Sequence, residues 1–172
     1  MARLPYSDGS SAPEIAEQMR RRRGGRLLNL DRMLLHSPDA ASAWNTFLGA
    51  VRQGLELDPL IREMIILRVA VLNKAQYEYD AHYQPAVQAG AQPDWLRGIG
   101  SWRTSSQFTD EQRAVLAFVD ASTREVAVPD EVFEALRGRF EPRHVAEIAL
   151  VTATYNCVSR FLVSLGITKE GE

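Results

Sequence analysis

With 172 residues, 45% of them apolar, and a formal net charge of −2, the chain is long enough for a domain with a buried core and too weakly charged to advertise a polyanionic partner. Its single cysteine, Cys157, excludes an internal disulfide framework and fits a reducing cytoplasm. It contains no uncharged apolar run of about 18 residues, and MARLPYSDGSSAPE has no apolar core, so neither a membrane span nor a signal peptide is expected.

Residues 1–12 are polar and rich in Gly and Ser, and read as an extended arm. A short helix over 13–23 follows, opening at Pro13, ending in Arg20-Arg21-Arg22-Arg23 and stopped by Gly24-Gly25. Residues 1–25 are thus expected to form an N-terminal arm with a short helix, and 26–172 a single all-α domain. The four arginines invite a nucleic-acid or membrane reading. No second basic cluster or interleaved aromatics accompany them, and they read as a solvated helix end complementing the dipole. An apolar helix over 27–35, with Leu27, Leu30 and Leu34 at helical spacing, is closed by His36-Ser37-Pro38, where His36 suits a capping or surface role. The next amphipathic helix, over 39–54, is expected to bury Ala43, Trp44, Phe47, Ala50 and Val51.

The stretch 58–90 is the most informative. Asp58 is a natural N-cap, and Pro59 suits the first helical position. Residues 60–72 are almost all apolar, which predicts a helix buried on most sides and interrupted only by Arg62, Glu63 and Arg68. A carboxylate kept on such a helix is expensive unless it is paired or used. Asn73, Lys74 and Ala75 make a break, and a second helix begins near Gln76. On it Glu78 and His82 are four residues apart and share a face. A Glu one turn away can hold one imidazole nitrogen and leave the other to move protons.

Beyond Gly90, a helical turn from Pro93 leads into a loop broken by Gly98 and Gly100, where Trp95 and Trp102 either close over a cavity or, as is commoner in such a loop, pack on the core. Thr109 and Gln112 form a capping-box pattern that opens a helix running to about 124, with Val115, Phe118 and Val119 buried. Val128-Pro129 begins a further short helix ending near Gly138. Pro142 opens a long last helix whose seam is Ile148, Val151, Tyr155, Val158, Leu162 and Leu165, and Gly166 ends it. Pro142 with Glu147 faintly echoes Pro59 with Glu63, which admits an internal repeat. Cys157 reads as inert core and His144 as exposed. No segment shows sustained strand alternation, so the fold class is all-α, a helical bundle.

The spacing of Glu63, Ala75, Glu78 and His82 resembles the carboxymuconolactone decarboxylase family, which includes the alkylhydroperoxidase AhpD-like proteins. In the peroxidase branch a glutamate is followed after eleven residues by CxxC, then three residues and a histidine. Glu63 and His82 match the glutamate and histidine, whereas Ala75 and Glu78 stand where the thiols would be, which looks like the decarboxylase-type branch. The resemblance runs from GGRLLNLDRMLLHSP to YNCVSRFLVSLG. It implies an AhpD-like helical bundle assembled as a trimer or hexamer, acting without a cofactor on a small carboxylated lactone or related cyclic acid. His82, Glu63 and Glu78 are then the catalytic candidates.

For substrate binding, Arg68 and Arg160 are cations able to grip a carboxylate, and equally able to serve as ion-pair partners for Glu63. Tyr77 and Tyr155 offer hydroxyls, with interface or core packing as the simpler account. A metal is not expected: di-iron bundles need Glu-x-x-His twice plus two further Glu, and here the spacing is one residue too long with no second copy. The expected partners are a small-molecule substrate and other copies of the chain, with no nucleic acid and no membrane. Two other readings compete: a peroxiredoxin-like protein that has lost its CxxC, and a non-catalytic oligomeric binding protein.

Overall fold

Prolines at helix starts and short polar breaks divide the chain into nine α-helices among the residues described, 2–171, in a computed structural model. No strand occurs among those residues, in line with the all-α expectation. The chain forms two compact units: one from residues up to Leu55 and from Leu162 onward, the other from Glu56–Phe161. The expected arm of residues 1–25 lies within the first of them.

The first unit carries α1 (Pro13–Arg22), α2 (Asn29–Leu34) and α3 (Pro38–Gln53). Gly24 and Gly25 both take positive φ, and the Gly25 N–H returns to the Arg20 carbonyl at 2.8 Å, the stop that glycine permits. The arginine run is only half solvated, which corrects the expectation. Arg20 and Arg21 pair with Glu17 at the surface, but Arg22 and Arg23 turn onto Asp31, at 3.6 and 3.2 Å. Asp31 is fully buried and also accepts the Leu28 N–H. A carboxylate in that position requires nearby cations, which ties α1 to α2 across the proposed boundary.

On α3 the buried face is Ala41, Leu48 and Val51, with Trp44 half-buried. Ala43, Phe47 and Ala50 point outward instead. Both stripes have helical spacing; the one carrying Leu48 and Trp44 removes more apolar area from water. The two chain ends close this unit: Arg3 N–H donates to the Leu165 carbonyl, Thr168 N–H to the Tyr6 hydroxyl, and Asn29 N–H to the Glu170 carboxylate. His36 lies exposed, 2.7 Å from the Pro5 carbonyl.

The second unit is built on α4 (Pro59–Leu72), buried on nearly every side and packed against α5 (Gln76–Gln88) and α7 (Asp110–Glu125). Asp58 caps it through the Leu60 and Ile61 N–H groups. Its approach is fixed by Glu147, whose carboxylate accepts the Leu57 N–H at 2.7 Å. Between α4 and α5 the chain turns at Lys74 with φ of 56°. Then come α6 (Pro93–Gly98), a 3-10 turn (Ile99–Ser101), α8 (Asp130–Arg137) and α9 (Pro142–Leu165). Trp95 and Trp102 are both buried, and the Thr109–Gln112 capping box is closed in both directions.

The α9 seam buries Ile148, Val151, Tyr155, Val158 and Leu162, with Leu165 half-buried. Cys157 is exposed, one position off that seam, and is not core. His144 is half-buried rather than exposed. By length and composition α9 could cross a membrane, but half of its most apolar stretch is buried inside the protein, as for a core helix.

Candidate active site

Two features of the chain place a histidine between two carboxylates. The turn at 73–75 folds α5 back along α4, and the helical period puts Glu78 and His82 on the face it presents. The Nδ1–H of His82 donates to Glu63 Oε2 at 2.7 Å, and Nε2 lies 3.0 Å from Glu78 Oε1. All three are buried: 4% of Glu63, 2% of Glu78 and 7% of His82 remains exposed. The second oxygen of Glu63 is 3.4 Å from Arg62, so the carboxylate that orients the ring is itself held by a neighbour. Tyr155 meets the imidazole ring edge-on, with centroids 5.2 Å apart and an interplanar angle of 87°, which fixes the ring plane.

The two contacts to His82 are unequal. Glu63 closes a short hydrogen bond, whereas Glu78 Oε1 is buried, close in charge terms, and closes no well-directed hydrogen bond. The proton on Nε2 is therefore the less tightly held of the two. Burial pushes the His82 imidazole down, but the hydrogen bond to Glu63 and the negative charges of Glu63 and Glu78 outweigh it and hold the group above its ordinary 6.5. The site can store a proton next to a carboxylate that can receive it. Neither ring nitrogen offers a lone pair to a metal without displacing a carboxylate, and no group of three His, Cys, Asp or Glu among the described residues is arranged to hold an ion.

A pH dependence follows with a definite sign. Because the folded value lies above the unfolded one, the stabilisation is fully present below about pH 6.5 and is lost as pH rises through the folded value. Urea melts recorded across that range are expected to show midpoints falling with rising pH. The fall should flatten in His82→Gln; an unchanged slope in that variant would assign it to other groups.

The expected substrate-binding residues are placed differently from one another. Tyr155 is at the imidazole, as described. Tyr77 is buried on α5. Arg68 is not a partner of Glu63: it is buried and spent on Asp120 of α7, with Nε to Oδ1 at 2.6 Å and Nη2 to Oδ2 at 2.9 Å. Arg160 is exposed and donates to Asn156 Oδ1 at 2.8 Å. Asp120 was not legible as Arg68's partner, because the two lie 52 residues apart on separate helices.

The described residues thus combine an all-helical fold with a Glu–His–Glu centre across α4 and α5, with Ala75 at the turn between the two helices. The model of the carboxymuconolactone decarboxylase family matches residues 38–121, 84 of the chain's 172 residues. The chain is similar to YnjA of Escherichia coli strain K12, an uncharacterised protein, with 26% identity over 124 residues. That match covers 70% of this chain and 66% of YnjA, just under two thirds of the relative's length. Among solved structures, the AhpD-core, peroxidase-related protein of Ralstonia eutropha JMP134 superposes with a TM-score of 0.84 at 23% identity, over 99% of this chain and 93% of that one. The debrominase Bmp8, solved as a cysteine-to-alanine variant in complex with 2,3,4-tribromopyrrole, gives 0.79 at 19% identity over 99% and 91%. At those identities both likenesses concern the fold.

Proposed function

We propose that the protein is a cofactor-independent enzyme of the carboxymuconolactone decarboxylase type, acting on a small carboxylated lactone or related cyclic acid. The observation that carries this reading is the buried His82 held between Glu63 and Glu78. In the reaction, the bond between ring carbon and carboxylate breaks, CO2 leaves, and the electron pair delocalises into the lactone carbonyl as an enolate. A proton then passes to carbon, and that step needs a positioned acid in a site that excludes water. His82 is the proton source, Glu78 faces its looser proton, and Glu63 sets its orientation and basicity. The same groups support a proton-shift isomerisation of a similar acid.

A dithiol peroxidase cycle needs two thiols within reach, and the chain has one cysteine, with Ala75 and Glu78 at the thiol positions. Assembly into a trimer or hexamer belongs to the same reading; Tyr83 and Val87, a turn apart on α5 and exposed, are apolar surface available for it.

The test is incubation of purified protein with 4-carboxymuconolactone, following CO2 release and ultraviolet absorbance beside His82→Ala. Turnover lost by about 10²–10⁴-fold in the variant is the expected result. Turnover equal in the two proteins removes His82 from the reaction, and none in the wild type removes this substrate.

A further inference from the structure

A cavity of about 460 Å³ opens at the turn joining α4 to α5, a size that suits a small molecule. Its walls include Ala70, Leu96 and Ile99, and its charged lining residues are Lys74 and Arg97, with no carboxylate among them. Arg97 is paired with Asp94 at the surface. Lys74 has no ion pair or hydrogen-bonded side-chain partner among the described residues, and it is the uncommitted cation of the cavity. Its backbone is held at φ of 56°, a left-handed conformation that a side chain with a Cβ disfavours and that tends to persist where function requires it.

The cavity is continuous in register with the His82 centre. Ala75, the residue that precedes α5, is followed at steps of three, one and three by Glu78, Tyr79 and His82, which share one face of that helix. Ala75 and Tyr79 line the cavity. On α4, Ala70 lies seven residues after Glu63, again on one face, and lines it too. The cavity therefore lies at the turn end of the α4–α5 pair, and Glu63, Glu78 and His82 sit buried further along the same helix faces, outside its lining.

The geometry points to this cavity as the binding site for a small ring-bearing acid, its carboxylate on Lys74 and its apolar body against Ala70, Ala75 and Tyr79. The assignment rests on the proton-transfer reading of His82 for its chemistry, but not for binding. It separates two tasks: recognition of a negative charge at the turn, and proton handling further along the two helices.

Benzoate is a suitable probe and benzamide its uncharged shape match, each titrated into the full chain by calorimetry or ligand-observed NMR. Benzoate is expected to bind at least about tenfold more tightly than benzamide, the scale of one charged hydrogen bond. Lys74→Gly should weaken benzoate by about tenfold and leave benzamide unchanged, while Lys74→Arg retains most of the affinity. Glycine accepts the left-handed backbone, so the loss cannot be put down to misfolding. Equal affinity for the two probes, no benzoate binding, or unaltered benzoate affinity in Lys74→Gly would overturn the assignment. Benzoate binding that depends on Lys74 and survives in His82→Ala supports it even when no lactone is turned over. Turnover with an unchanged KM in Lys74→Gly sinks it and leaves the His82 reading standing.

Discussion

Arg68→Met is expected to destabilise the protein by about 3 kcal/mol, because it leaves the buried Asp120 carboxylate to the Trp102 indole N–H and to the exposed Arg103, 3.5 Å away. Arg68 and Asp120 are each about 4% exposed. The guanidinium meets both Asp120 oxygens and also donates through Nη1 to the carbonyls of Ile99 and Gly100, at 3.0 Å each. The Trp102 indole N–H adds a third donor to Asp120 at 3.2 Å, and Arg103 stacks over the Trp102 ring. One side chain thus joins α4, α7 and the 3-10 turn. Lys in its place cannot reproduce the two-pronged contact and should recover little. Removing both charges, as in Arg68→Met with Asp120→Leu, should restore most of the loss, because no buried charge is then left unpaired. Urea denaturation of the three variants is the check. A loss below about 1 kcal/mol in Arg68→Met would show that water reaches Asp120 and that the pair is not buried in solution.

Glu63→Gln is expected to lower turnover by about 10²-fold or more while leaving the fold in place. The substitution keeps the shape and removes the charge that faces Nδ1. With that carboxylate gone, burial regains weight and His82 moves down toward and below its ordinary range. Glu63 acts through the imidazole, so the readout that separates positioning from simple structural loss is the pH profile. The limb governed by the protonated imidazole should shift to lower pH in Glu63→Gln, and Glu63→Asp should return part of both rate and profile. A reduced rate with an unmoved profile would mean that Glu63 only supports packing.

The part of this arrangement that was legible in the sequence is the part encoded locally. Asp58 before Pro59, the Thr109–Gln112 box, the Gly24-Gly25 stop and the α9 seam each depend on neighbours within a turn or two, and each is found where the spacing puts it. The grouping of Glu63 with His82 was legible through the family spacing and through the expense of a carboxylate on an apolar helix. What stayed hidden was pairing at long range. Nothing near Arg68 announces Asp120, and nothing near Arg22 and Arg23 says that they turn inward to Asp31. On α3 two stripes compete at the same period, and only the packed core decides between them. Lys74 in a left-handed turn carries no sequence signal, since the residues that usually mark such a turn are glycine and asparagine.

The unit that contains the first 55 residues is completed by the segment from Leu162 onward, through contacts that include those to Leu165, Thr168 and Glu170. During synthesis its first portion leaves the ribosome long before its last. At about 5–20 residues per second, the 106 residues from Glu56 to Phe161 impose a wait on the order of 5–20 s. The continuous segment from Glu56 to Phe161 meets no such delay, and can bury α4 as soon as α7 has emerged. The early helices are therefore the portion of the nascent chain that waits longest for the segment completing its unit.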